Sequence, residues 1–260
     1  MLICVGATPI FAQIQLNNDE FSASSTLVNW NNINDTEGWN ITQLENYNIG
    51  DTVAGSLFML PNTESWFGEY RGAYLYKEIA GDFILTTEVS MSARDGLSLP
   101  ATTFSLAGIM IREPQNYPNQ DPSIDWTPSS QNYIFMAVGR ANENRLSFEI
   151  KNTCDSRSCI RVVDAEDSTV KMRMIRRGDE IIVMTQYGSD PWIIQNRYNR
   201  NEIQLGDFGS CNQLCNAPFP DTVQIGFVTY TDWPKVDSYT PAFHNSNTLH
   251  PDSLALDPTP

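Results

Sequence analysis

The chain has 260 residues, 41% hydrophobic and only 18% charged, enough apolar material for one large β domain or two small ones. Its 16 basic and 31 acidic residues leave a net charge of −15. That balance opposes the phosphate neutralisation on which nucleic-acid binding rests, so nucleic acid is excluded as a partner, and an anionic membrane surface would repel the chain as well.

The opening "MLICVGATPIFAQ" is a short apolar run ending in Phe-Ala-Gln. It has the h-region and cleavage site of a secretory signal peptide without a basic n-region, so residues 1–12 are expected to be a shortened signal cut after Ala12. The expected location is therefore extracellular or at the cell surface. No later stretch reaches the roughly 18 apolar residues needed to span a bilayer, so membrane insertion is not expected.

Next come "DEFSASSTLVNWNNINDTEGWNITQLENY" and "GSLFMLPNTESWFGEYRGAYLYKEIAGDF", which suit the first strands of a β domain. From there apolar and polar residues alternate in "DFILTTEVSM", "LAGIMIRE", "NYIFMAVGR", "RLSFEIKN", "VKMRMIRR", "EIIVMTQYG" and "TVQIGFVTYT". Turn signals separate them: Ala141-Asn142-Glu143-Asn144, Arg177-Gly178-Asp179 and Tyr187-Gly188-Ser189-Asp190-Pro191. No segment of ten or more residues carries a capped helical stripe. The pattern predicts an all-β sandwich or barrel over residues 13–243, and residues 244–260 read as a Pro-rich tail or a linker to a further domain.

Residues 113–131, "EPQNYPNQDPSIDWTPSSQ", form a long Pro-rich loop carrying Tyr117 and Trp126, and loops of that length are more often functional than connecting. Its Asp121–Asp125 stretch is a candidate for structural calcium without EF-hand spacing, and no other cofactor is expected. Four cysteines follow the presumed signal, in "CDSRSC" and "CNQLC". The simplest connectivity is two local staples, Cys154–Cys159 and Cys211–Cys215, in an oxidising compartment. A zinc site is the rival, but the spacings are not two-residue knuckles and His244 and His250 lie far downstream.

Taken as a set, Gly81-Asp82-Phe83, Ala107 to Arg112, the Arg176 to Asp179 corner and Ile225-Gly226-Phe227 resemble the concanavalin A-like lectin/glucanase superfamily. The nearest likeness is to the secreted bacterial "regulation of enolase protein 1-like" (DUF1349-type) modules. The resemblance spans roughly residues 20 to 235 and implies a jelly roll of two antiparallel sheets, one of them curved. The loop at 113–131, the cysteine pairs and the stretch after Asp232 depart from that pattern. One such fold hosts many functions, so the ligand has to be argued from side chains.

Strand parity splits each run into an apolar and a polar face. Phe83, Leu85, Val89 and Met91 oppose Thr86, Glu88 and Ser90; Ile109 and Ile111 oppose Met110 and Arg112; Phe148 and Ile150 oppose Glu149. Met172 and Met174 oppose Arg173; Val223, Ile225 and Phe227 oppose Gln224. Tyr133 and Phe135 go with the polar set, because Ile134, Met136 and Val138 suit a core. If these strands share the curved sheet, its open face presents Glu88, Arg112, Tyr133, Glu149, Arg173 and Gln224, either to solvent as cross-strand ion pairs or to a ligand groove. Planar amides and guanidinium groups beside aromatic rings suit sugar hydroxyls and sugar C–H faces. The expected function is a non-catalytic, lectin-like glycan-binding module using Arg112, Tyr133, Glu149, Arg173 and Gln224, with Trp126 as a stacking lid. The Glu-x-Asp-x-x-Glu strand of the superfamily's glucanases is absent. The alternatives are a glycoside hydrolase or lyase with Glu88 and Glu149 as its acid/base pair, and a structural or adhesive protein-binding domain.

Overall fold

The computed structural model describes residues 18–37, 43–62, 64–116, 127, 129–142 and 144–231. The expected leader and tail, Tyr117, Asp121–Asp125, Trp126, His244 and His250 lie outside them.

The chain opens with a 3-10 helix at Ser24–Asn29, β1 at Asn31–Asn32 and a single α-helical turn, α1, at Ile33–Thr36. The strands that follow are β2 (Leu44–Ile49), β3 (Leu57–Pro61), β4 (Ala73–Ala80), β5 (Phe83–Ser90), β6 (Ser105–Arg112) and β7 (Tyr133–Arg140). Then come β8 (Leu146–Cys154), β9 (Arg157–Asp164), β10 (Thr169–Arg177), β11 (Glu180–Gln186), β12 (Ile193–Asn199), β13 (Phe208–Gly209) and β14 (Thr222–Tyr230). The first segment is thus less stranded than expected: Asn32 caps α1 by accepting from the Asn34 N–H at 3.0 Å, a local bond that competes with strand pairing.

Two sheets dominate, both antiparallel. The larger has eight strands in the order β1-β4-β14-β6-β7-β8-β9-β13, and the smaller has four in the order β12-β11-β10-β5. The hairpin β2–β3 stands apart as a third, two-stranded sheet. Gly178 turns the β10–β11 corner at φ +56°, a left-handed conformation that an L side chain resists.

Between the two main sheets lies the principal core, and it is built from the apolar parity set: Ile109, Ile111, Ile134, Met136, Val138, Phe148, Ile150, Met172, Met174, Val223 and Ile225. Phe83, Leu85, Val89 and Phe227 pack against it, so the one-residue alternation holds in every strand where it was drawn.

The disulfides pair across the fold, Cys154 with Cys215 and Cys159 with Cys211, which corrects the local staples. Register explains why. In the β8–β9 hairpin Cys154 stands opposite Arg157 and Cys159 opposite Asn152, so the two cysteines are diagonal neighbours. A diagonal pair is about 7–8 Å apart, beyond the roughly 4.4–6.8 Å that a disulfide spans. Both bridges instead tie the β12–β13 region and the loop after it to β8 and β9. Arg200 seals that junction by donating to Asn132 Oδ1 at 2.8 Å, Thr153 O at 3.0 Å and Ala217 O at 2.9 Å. Burial pulls its guanidinium down to about 10.

Candidate functional site

The outer face of the eight-stranded sheet gathers four of the six expected ligand residues. Arg112 pairs in register with Tyr133 on one side and Gln224 on the other, and Glu149 follows on β8 with the same parity. Tyr74, Tyr76, Phe135 and Tyr230 supply rings to the same layer. All four expected residues are 3% exposed or less. The layer is closed, which corrects both earlier options, a groove and a solvated face.

Its cover is the strap Glu64–Gly72 together with α1. Glu64 bridges to Thr231, Gly68 N–H donates to Ser158 Oγ at 2.8 Å, and Trp66 lies between, fully buried, 5.3 Å from the Tyr133 ring. A Cβ on Gly72 would come within 2.8 Å of the Trp66 ring, so a side chain there would displace the indole. From the other end Glu37 bridges Arg112 and Arg71, while Gln224 and Gln131 accept from Arg112 at 2.9 and 3.1 Å. Arg112 itself is engaged by protein at Nε, Nη1 and Nη2, as a buried charge requires.

Deeper under the strap, Lys151 Nζ stands 2.6 Å from Glu149 Oε1 and donates to the Trp66 carbonyl. Its ammonium sits 4.7 Å from the Phe135 ring centre and 5.2 Å from that of Phe67, an aromatic cage filled by the protein's own lysine. Burial lowers the Lys151 pKa, and Glu149 opposes the shift. Burial pushes the Tyr230 phenol well up, with the Glu149 charge adding to it. Glu64 is buried too: Oε1 accepts the Ala73 N–H at 2.8 Å, Oε2 has no hydrogen bond among the described residues, and burial pushes its carboxyl well up.

Arg173 and Glu88 belong elsewhere. β5 and β10 pair with each other in the four-stranded sheet, so both side chains lie on that sheet's outer face, on the opposite side of the sandwich from Glu149. This corrects the expectation that Arg173 shares a surface with Arg112. It also separates the proposed acid/base pair. Stacked sheets lie about 10 Å apart and the two carboxylates point outward from different sheets, outside the roughly 5–9.5 Å that glycosidase carboxylates keep.

On this outer face Arg173 Nε donates to Thr86 Oγ1 at 2.9 Å, and its guanidinium carbon lies 3.9 Å from the Trp192 ring centre. Its Nη groups have no hydrogen bond among the described residues. Around the stack are Lys171, whose Nζ donates to Gly188 O at 3.3 Å, and exposed Ile84 and Ile194. Trp192 escaped the sequence reading because it directly follows the Tyr187–Pro191 turn. Lys151 escaped although it shares the parity of Glu149 two residues before it. Trp66 and Glu37 sit in irregular segments where alternation carries no signal.

Among the described residues no group of three or more His, Cys, Asp and Glu side chains is arranged to hold a metal, and no helix is long and apolar enough to cross a membrane.

No family model matches the chain, and no curated protein matches it. Solved structures do. A functionally unknown protein from Saccharomyces cerevisiae is similar at a TM-score of 0.50 and 11% identity, over 79% of this chain and 88% of that one. The GH43 protein BlXynB from Bacillus licheniformis is similar at a TM-score of 0.53 and 10% identity, over 83% of this chain and 36% of its own. A mutant of BlXynB gives a TM-score of 0.52. The chain thus spans about a third of the length of BlXynB. Identities this low speak for architecture alone, and the architecture they share with this chain is the two-sheet antiparallel jelly-roll sandwich.

Proposed function

We propose that the chain is a secreted, non-catalytic glycan-binding sandwich, akin to the "regulation of enolase protein 1-like" modules, that holds its ligand on the outer face of the four-stranded sheet. One observation carries the reading: Arg173 is fixed by Thr86 and by the Trp192 ring while its Nη donors have no hydrogen bond among the described residues. A guanidinium ordered before binding loses little conformational freedom when it meets sugar hydroxyls or a uronate carboxylate. The indole beside it offers apolar surface to sugar C–H groups. Both disulfides suit an extracellular setting, and a fold shared with part of a GH43 protein is in keeping with a carbohydrate setting. The separation of Glu88 from Glu149 favours binding without cleavage.

Arg173→Ala and Trp192→Ala test this against the parent chain in affinity electrophoresis on neutral and uronate-rich polysaccharides. Each is expected to weaken binding at least about tenfold with an unchanged unfolding midpoint. Unchanged binding in both variants would remove this face as the site.

A further inference from the structure

A groove of about 1990 Å³ opens on the flank of the sandwich where the smaller sheet stops short. Phe21, Trp30 and Phe227 form an aromatic cluster on it, with ring centres 5.1–5.9 Å apart. Along it run the whole of β5 and the whole of β3, but not β2, and β3 and β5 form no ladder with each other. Among the described residues β5 is the edge strand of its sheet, paired only with β10.

The ladder phase says which groups the edge offers. Met91 N–H donates to Ser168 O at 3.0 Å, just beyond the Ser90–Thr169 pair, which makes Met91, Val89, Thr87, Leu85 and Phe83 the residues bonded to β10. Ile84, Thr86, Glu88 and Ser90 therefore turn their backbone N–H and C=O groups away from β10. In the hairpin, Gly50 N–H donates to Ser56 O at 3.0 Å, so Leu57 and Met59 likewise turn theirs away from β2. Two strand edges thus border one groove, and an unpaired edge of eight residues is a template for another strand.

We infer that this groove is a docking slot for an extended peptide segment of a partner, added as a strand against β5 with its far edge toward β3. The geometry is that of strand addition, in which main-chain bonds supply affinity and alternate side chains supply selectivity. Charge names the partner's chemistry. The residues lining the groove include six acidic ones, Asp19, Glu20, Glu78, Asp82, Glu88 and Asp95, against three arginines. One of those, Arg176, is already committed to the carbonyls of Pro220 and Asp221. With a net charge of −15 on every copy, a second copy is repelled. The fitting segment alternates apolar side chains, directed at Phe21 and Trp30, with lysine or arginine directed at the acidic rim.

The test uses the full chain and an eight-residue alternating valine–lysine peptide, followed by Trp fluorescence and by amide hydrogen exchange on β5. The peptide is expected to bind and to slow exchange at Ile84, Thr86, Glu88 and Ser90 at least about tenfold. A valine–glutamate peptide should bind about tenfold more weakly, and N-methylation of alternate residues should abolish binding. E88P removes an outward N–H without touching the β10 ladder and should weaken the peptide at least about tenfold. Should E88P fail to fold, the exchange pattern of the parent chain decides alone. Protection of those four amides before peptide is added would show the slot filled by the chain itself and overturn the inference. So would peptide binding without protection on β5.

Discussion

Glu64 spends its folded life with one carboxylate oxygen on the Ala73 N–H and the other without a hydrogen bond among the described residues. Burial raises its pKa well above the ordinary 4.5, so the folded state holds a proton that the unfolded chain has released. Stability is therefore fullest below pH 4.5 for this group and falls as pH rises toward the folded pKa, by up to about 1.4 kcal/mol per pH unit. Glu64→Gln keeps the acceptor and stays neutral. Denaturant unfolding from pH 4.5 to 8 should find that the variant loses this falling component and is at least as stable as the parent at pH 8. Glu149 and Lys151 behave differently, because each neutralises the other in a buried site. Lys151→Met leaves Glu149 without its counter-charge and should cost about 3–5 kcal/mol, whereas combining it with Glu149→Leu should recover most of that loss. Equal losses in the single and double variants would deny the coupling.

The strap Glu64–Gly72 converts a sheet face that reads as a ligand surface into a second buried layer. Trp66 fills its centre, so Trp66→Ala should lower stability by about 3–5 kcal/mol in urea titration. The disulfides act beside the strap's Gly68–Ser158 contact, closing chain separations of 61 and 52 residues. Non-reducing peptide mapping should recover Cys154 linked to Cys215 and Cys159 linked to Cys211, and removing either bridge should cost about 2–4 kcal/mol. What could be read from the sequence divides along these lines. Side-chain parity was legible in β5, β6, β8, β10 and β14 because a period of two leaves each residue one of two faces. In β7 both faces are apolar, and Tyr133 and Phe135 were placed on the outer one because Ile134, Met136 and Val138 suit a core. Which sheet a strand joins has no such local signal, and so Arg173 and Glu88 were grouped with Arg112 and Glu149 across the sandwich. The strap was invisible because "NTESWFGEYRG" has neither period, and the bridge partners were invisible because sequence spacing does not encode the β8–β9 register.

An all-β sandwich or barrel was legible from short alternating runs at regular spacing, and the two-sheet jelly roll from the resemblance carried by segments such as the Arg176–Asp179 corner. The jelly roll leaves two outward surfaces with different chemistries beside the closed polar and aromatic layer: first an acidic flank with a strand edge unpaired among the described residues, and second an open face bearing Arg173 and Trp192. Among the described residues the second combines solvent access with oriented donors and an aromatic ring, which is why the glycan is proposed there. Glu88 and Glu149 face away from each other across the whole sandwich, so binding is expected without cleavage. The direct measurement is a pull-down of the full chain on a panel of insoluble and soluble polysaccharides, with reducing-sugar release assayed in the same tubes. Retention on at least one polysaccharide without release, lost in Arg173→Ala, is the expected result; sugar release, or retention indifferent to Arg173 and Trp192, would contradict it.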